Sequence, residues 1–319
     1  MLTPGFDRAR RRFIQRLAAV LLVSAAGINH NAVAQEKQFD LTLRRRVETS
    51  ANSGQFQATT RTERWDAART AVIVCDMWDL HHCKNAVTRV KEVAPRMNQL
   101  LEDARKRGAL IIHAPSSCMG PYENHPARAR ARKAPKAANL PSGIGQWCDK
   151  IPAEEKGKYP IDQSDGGEDD DPAEHQQWAR HLADMGLDPR APWKRETEAL
   201  KIHDEDAITD SGVEVWNLLE ERGINNVMLM GVHVNMCVLG RPFGLRQMAK
   251  NGKNVVLVRD LTDSMYNPAA WPNVNHYRGT DLIIEHIEKF VCPTVTSDQI
   301  IGGKPFVFSG DPDRKQRNQ

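Results

Sequence analysis

Four short apolar runs, each followed by a stretch with helical spacing or a polar loop, constrain this chain more than any other feature. "TAVIVC" (70–75), "ALIIH" (109–113), "NNVMLMGV" (225–232) and "KNVVLV" (253–258) lack the apolar–polar alternation of a half-exposed strand. Continuous β-branched runs of this length fit strands buried on both faces, as in a parallel sheet covered by helices on either side. The segments between them agree. "VTRVKEVAPRMNQLLEDARKRG" carries apolar residues at helical spacing and stops at Gly108; "SGVEVWNLLEERG" offers Ser211 as N-cap and Gly223 as terminator. "CVLGRPFGLRQMAKNG" and "NHYRGTDLIIEHIEKFV" read as two further helices, and "ALKIH" as one more short strand. The expectation is an α/β fold in three αβα layers, with a doubly wound, mainly parallel sheet.

The 319 residues, 40% of them hydrophobic, suffice for one sizeable α/β domain, and no internal repeat is visible. A net charge of +3, concentrated in two local runs, gives no sign of a nucleic-acid partner. One of those runs, Arg8, Arg10, Arg11 and Arg12, precedes "LAAVLLVSAAG", which is too short to span a bilayer, and then "AVAQ", where Ala32 and Ala34 fit a cleavage site. "RRRFIQ" resembles a twin-arginine signal. Residues 1–34 are therefore expected to be an export signal, leaving a periplasmic or secreted protein without stable membrane insertion. Residues 35–66 alternate as a hairpin or extended arm would. Residues 67–319 form the main domain, interrupted at about 119–196 by a proline-rich insertion containing "DGGEDDD". An irregular stretch of this length inside an α/β domain is expected to be a lid, and Tyr122, Trp147, Trp178 and Trp193 give it material to roof a pocket. The six cysteines lack the spacing of a disulfide scaffold; if Cys237 is a free thiol, at least one other is unpaired or pairs between chains.

In open α/β sheets, sites form at the carboxyl ends of strands. Asp76 follows "AVIVC", Lys201 lies in "ALKIH", and Cys237 follows "VMLMGVHVNM", so an acid, an amine and a thiol are expected to meet. The segments "VIVCDMWD", "LKIHDEDAITDSGVEVWNLLEERGINNVMLMGV" and "VNMCVLG…MAKNGKNVVLVRDLTDS" resemble the isochorismatase-like cysteine hydrolases, across roughly residues 68–118 and 197–290. That resemblance implies a Rossmann-like fold. It also implies Cys237 as nucleophile, Asp76 as general acid/base and Lys201 as the activating cation, with a thioester intermediate formed on a small amide, carbamoyl or ureido substrate. It further implies an oxyanion hole from the backbone N–H groups of His233 and Cys237, and a cis peptide between Val232 and His233. Cys237 at a helix start beside Lys201 is expected to have a lowered pKa.

Trp78 stands where these hydrolases usually carry Gln, and Val234 where they usually carry Thr. The strand ending at His113 is followed by Pro115, Ser116 and Ser117, without the Asp-x-His pair that holds the nicotinamidase metal, so neither a metal nor another cofactor is expected. "DLHHC", with Asp79, His81, His82 and Cys83, reads as surface or pocket lining. Trp78, His113 and Thr209 are candidates for the substrate pocket. A small-molecule substrate and a homo-oligomer are expected. Two alternatives keep the fold: non-covalent vinyl-ether hydrolysis, and a catalytically idle binding protein.

Overall fold

The computed structural model describes residues 37–314. The expected export signal and its cleavage site lie outside the described residues. Eight strands form one sheet in the order β2-β1-β8-β7-β6-β3-β4-β5. The parallel part comprises β3 (Thr70–Cys75), β4 (Leu110–Ala114), β5 (Ala207–Ile208), β6 (Asn226–Val232), β7 (Asn254–Asp263) and β8 (Thr294–Val295). β1 (Gln38–Glu48) and β2 (Phe56–Asp66) form an antiparallel hairpin that extends the same sheet through β8.

The apolar runs are buried on both faces, as their sequence requires. In β3, Ala71, Ile73 and Cys75 pack into one apolar layer and Val72 and Val74 into the other. The second layer is completed by α1 (Lys84–Arg107), through Val90, Val93, Met97 and Leu101. Gly108, at φ +101°, ends that helix in the left-handed conformation that costs other residues energy. The first layer is completed by α4 (Gly212–Glu221), α5 (Cys237–Gly240), α6 (Leu245–Lys250) and α7 (His276–Phe290).

Two elements differ from expectation. "ALKIH" is not a strand; the strand at that edge is Ala207–Ile208, a few residues later. The helix expected across "CVLGRPFGLRQMAKNG" is two short helices. Pro242 has no N–H to continue the first, and Gly244 passes so close to Val238 O that a Cβ would sit 2.8 Å from it.

The insertion is built, not formless: it contains α2 (Pro126–Lys133) and α3 (Pro172–Asp184), joined by turns. It folds back over the strand ends. Trp178 Nε1 donates to His81 O (2.9 Å), Tyr159 OH to Asn235 O (2.6 Å), and Trp78 forms an isolated β-bridge with Glu196. All six cysteines are buried and free.

Candidate active site

Two tight backbone turns bring the reactive groups together. β3 ends at Asp76, whose φ of +52° turns the chain; its N–H donates to Ala114 O (3.1 Å) on the next strand. Next to the end of β6 lies Gly231 at φ +132°, where a Cβ would lie 2.1 Å from Cys75 O, so only glycine fits between the two strand ends. His233 follows at φ +62°. A side chain other than glycine held there is strained by about 1 kcal/mol or more, which the surrounding contacts must outweigh.

Those contacts are specific. Asn235 closes the turn: its Nδ2 donates to Met265 O (2.8 Å) and Gln163 Oε1 (2.9 Å), and its Oδ1 accepts from Met265 N–H (2.9 Å). Val234 N–H donates to Asp263 O (2.8 Å), and Met236 N–H to His233 O (2.9 Å). Cys237 N–H has no backbone acceptor among the described residues.

The result is a buried cluster in which ligand atoms of Asp76, His233 and Cys237 all lie within 4.8 Å of one another. Cys237 Sγ is 3.7 Å from His233 Nδ1. One Asp76 oxygen accepts from Ser116 N–H (3.0 Å); the other accepts from Arg241 Nε (3.2 Å) and faces its Nη2 at 3.1 Å. Arg241 sits four residues beyond Cys237 and is covered by Trp147 of the insertion, 4.8 Å from its ring centroid. Burial lowers the His233 ring to about 4, against the pull of Asp76 and Asp263, so it is neutral at pH 7.

The structure brings Asp76 and Cys237 into one cluster, and three other expected features differ. Lys201 is exposed and lines a different cleft with Tyr122, His125 and Glu196. Its N–H is held by Asn98 Oδ1 (2.8 Å) and its carbonyl by Arg105, because the segment is a loop rather than a strand aimed at the site. The cation beside Asp76 is Arg241. The Val232–His233 peptide is trans; the only cis bond among the described residues is Trp271–Pro272, and the left-handed His233 performs the turn instead. The Cys237 thiol is not acidified. Burial pushes it well above its usual value, Asp76 adds to that, and Arg241 only partly opposes them. α5, four residues long, has little dipole to offer.

Of the three pocket candidates, Trp78 lines a cavity beside Asp76, and His113 and Thr209 do not. Trp78 lines a small cavity with Asp76, His81, His233 and Asp263. His113 is wholly buried between Glu196 (2.7 Å) and Asp206 (3.3 Å); burial opposes its charge, but the two carboxylates outweigh it and hold the ring at about 9. Thr209 donates to Glu214 and accepts from Ser211 N–H (3.0 Å), so its hydroxyl is committed to the start of α4.

The cavity over Asp76 has a volume of only about 10 Å³, room for about one water. Two of its lining residues, Trp78 and His81, are themselves stacked: Trp193 of the insertion lies on Trp78 with centroids 4.4 Å apart and planes 8° apart, and His81 stacks alongside. A larger cleft of about 560 Å³ borders the same turn through Asn235, Met236 and Gly240, but neither Asp76 nor Cys237 lines it. Asp76 and His233 line the small cavity; Cys237 lines neither space and lies in the buried cluster beside them.

Sequence reasoning missed Arg241 and Asp263. Arg241 had a signal, one helical turn beyond the cysteine; Asp263 closes an apolar strand, where it is held by Arg89 (2.7 Å) and His276 (2.8 Å). Asp76, His233 and Cys237 offer O, N and S donors of the kind zinc takes. The guanidinium 3.1 Å from the Asp76 carboxylate already supplies a fixed positive charge there, which works against a metal. Cys83, Asp169 and Asp170 also cluster, but Asp169 is spent on Arg89 (2.7 and 3.0 Å) and Asp170 on the N–H groups of Lys84 and Asn85.

No family model and no curated protein matches the chain. Solved structures do. A cysteine hydrolase from Pseudomonas syringae pv. phaseolicola 1448A is 18% identical and aligns over 74% of this chain and 92% of its own, with a TM-score of 0.44. An isochorismatase family protein from Desulfovibrio vulgaris subsp. vulgaris str. Hildenborough is 14% identical over 72% and 94% of the two chains (TM-score 0.38). N-carbamoylsarcosine amidase from Thermoplasma acidophilum is 11% identical over 72% and 97% (TM-score 0.36). The likeness is one of chain path.

Proposed function

We propose that the chain is a cysteine hydrolase that cleaves the C–N bond of a small amide, carbamoyl or ureido compound through a thioester. The observation that carries this reading is the buried cluster of thiol, carboxylate and neutral imidazole within 4.8 Å, at the carboxyl end of the sheet. The motif resemblance around Asp76 and Cys237 supports the same reaction class.

In this reading the Cys237 thiol passes its proton to Asp76 as the sulfur attacks the carbonyl carbon, and the carbonyl π electrons move to oxygen. The resulting oxyanion lies by the turn, where Cys237 N–H has no backbone acceptor to give up. Asp76 then hands its proton to the leaving nitrogen, the C–N bond breaks and a thioester remains. Water, deprotonated by Asp76, attacks that thioester; the C–S bond breaks and the thiol recovers its proton. Arg241, which keeps its charge at any accessible pH, takes the activating role expected of Lys201 by fixing the carboxylate. A thiol held high at rest is compatible with this order of events, because its proton leaves in concert with attack and not beforehand. In this reading substrate access requires the stacked Trp78 and Trp193 rings to move.

Export belongs to the same proposal: residues 1–34 direct it, and the mass of the periplasmic protein tests cleavage after Ala34. The small cavity and the raised thiol favour one rival, a catalytically idle binding protein. Alkylation with iodoacetamide, followed peptide by peptide, separates the two. A hydrolase shows Cys237 labelling that is blocked by an amide that is turned over, with the other five cysteines unaffected by it. Turnover undiminished in Cys237→Ala refutes the covalent reading.

A further inference from the structure

β2 is a sheet edge with unusual features. It runs 11 residues in unbroken register with β1, from Phe56 opposite Glu48 to Asp66 opposite Gln38. It contains no proline, lysine, glycine or bulge, and of the devices that commonly keep edges from pairing it carries only charges, on Arg61, Glu63, Arg64 and Asp66. Gln57 through Thr62, and Arg64, are exposed.

The hydrogen-bond phase of this edge follows from its neighbour. Thr42 N–H donates to Gln299 Oε1 (2.8 Å), and Thr42 O accepts from Gln299 Nε2 (3.3 Å), so both main-chain groups of Thr42 point away from β2. Thr42 pairs with Thr62. In an antiparallel ladder such a pair is non-hydrogen-bonded, so the N–H and C=O of Thr62 point outward, as do those of Thr60 and Arg64.

We propose that a second copy of this chain pairs with β2 antiparallel about a two-fold axis at Thr62, continuing the eight-stranded sheet across the dimer. A two-fold axis perpendicular to the sheet keeps each residue on its own face, so its centre falls on a single residue. Centring on Arg61, Glu63 or Arg64 puts like charges face to face. Centring on Thr62 sets Arg61 opposite Glu63 of the second copy, and Glu63 opposite its Arg61. Thr62 meets Thr62 as a hydrogen-bonded pair, with Thr60 opposite Arg64. Within one chain Arg61 Nη2 is already 2.8 Å from Glu63 Oε1, and Trp65 Nε1 holds the other Glu63 oxygen at 2.8 Å. The two-fold thus closes a ring of four alternating charges, with each glutamate already oriented. Opposite charges directly across a strand pair favour a register, and like charges oppose it.

Sedimentation velocity on the full-length protein over a concentration series tests this. The wild type is expected to show a concentration-dependent dimer. Thr62→Pro removes an outward N–H without touching the β1 ladder and is expected to weaken the dimer by about tenfold or more. Arg61→Glu sets glutamate against glutamate and has the same effect, and Arg61→Glu with Glu63→Arg restores association. Circular dichroism and hydrolase activity report that each variant is folded. A wild type that stays monomeric throughout overturns the proposal, as does a dimer indifferent to all three substitutions. Neither outcome bears on the hydrolase reading, whose site lies at the other side of β8.

Discussion

Replacing Arg241 by methionine isolates what holds the site. The substitution keeps most of the packing volume under Trp147 and removes the guanidinium 3.1 Å from Asp76. Asp76 is fully buried, so its carboxylate is left with the Ser116 N–H as its remaining hydrogen bond. Breaking a buried pair by removing one partner costs about 3–5 kcal/mol; the 17% exposure of the Arg241 side chain places this case near the lower end, about 3 kcal/mol. For a domain of this size that corresponds to a fall in melting temperature of roughly 5 °C. Adding Asp76→Asn removes the stranded charge while Oδ1 can still accept from Ser116, so the double variant is expected to recover most of the loss. Urea unfolding at neutral pH, followed by circular dichroism, measures both. Arg241→Met within about 0.5 kcal/mol of wild type, or a double variant no more stable than the single one, would refute the claim that this ion pair organises the site.

Asp76→Asn alone is expected to speed alkylation of Cys237, since the carboxylate is one of the two causes holding the thiol up, while abolishing turnover; slower alkylation contradicts the electrostatic account. Lys201→Ala is expected to leave both the alkylation profile of Cys237 and the stability within about 0.5 kcal/mol of wild type, because its side chain is exposed in another cleft. Glu154 sits beneath the larger cleft between Arg246 and His286, each at 2.8 Å; burial works against its charge, but these partners lower it from 4.5 to about 2. A lowered folded-state pKa stabilises above about 4.5 and ceases to as pH falls towards 2, so Glu154→Gln is expected to cost about 3 kcal/mol at pH 7, and the gap to wild type to close in acid.

The sheet was legible because its signal is local and redundant: runs such as "AVIVC" and "VMLMG" recur between helical stretches, the alternation of a covered parallel sheet. Asp76 and Cys237 were legible because the strand-end rule fixes where they lie without knowledge of side-chain direction. Lys201 was misread because "ALKIH" has strand composition but is tied as a loop to Asn98 and Arg105, contacts made across the fold. His113 and Thr209 failed for a related reason. Position at a strand end does not reveal that a carboxylate from elsewhere, Glu196 or Glu214, has already claimed the side chain. Trp193 was named as material for a lid, but its stacking on Trp78 was beyond sequence reasoning, since the return path of the insertion depends on packing across the fold. The raised thiol follows from burial, which no motif records.

The most direct test of the covalent mechanism is mass spectrometry of the Cys237 peptide after acid quenching during turnover of an amide, carbamoyl and ureido library. The account predicts an acyl adduct on Cys237 that appears within the first turnover and decays as substrate is exhausted, accumulating in a variant slowed in deacylation. Hydrolysis that proceeds in Cys237→Ala at the wild-type rate, with no adduct on any peptide, would contradict it.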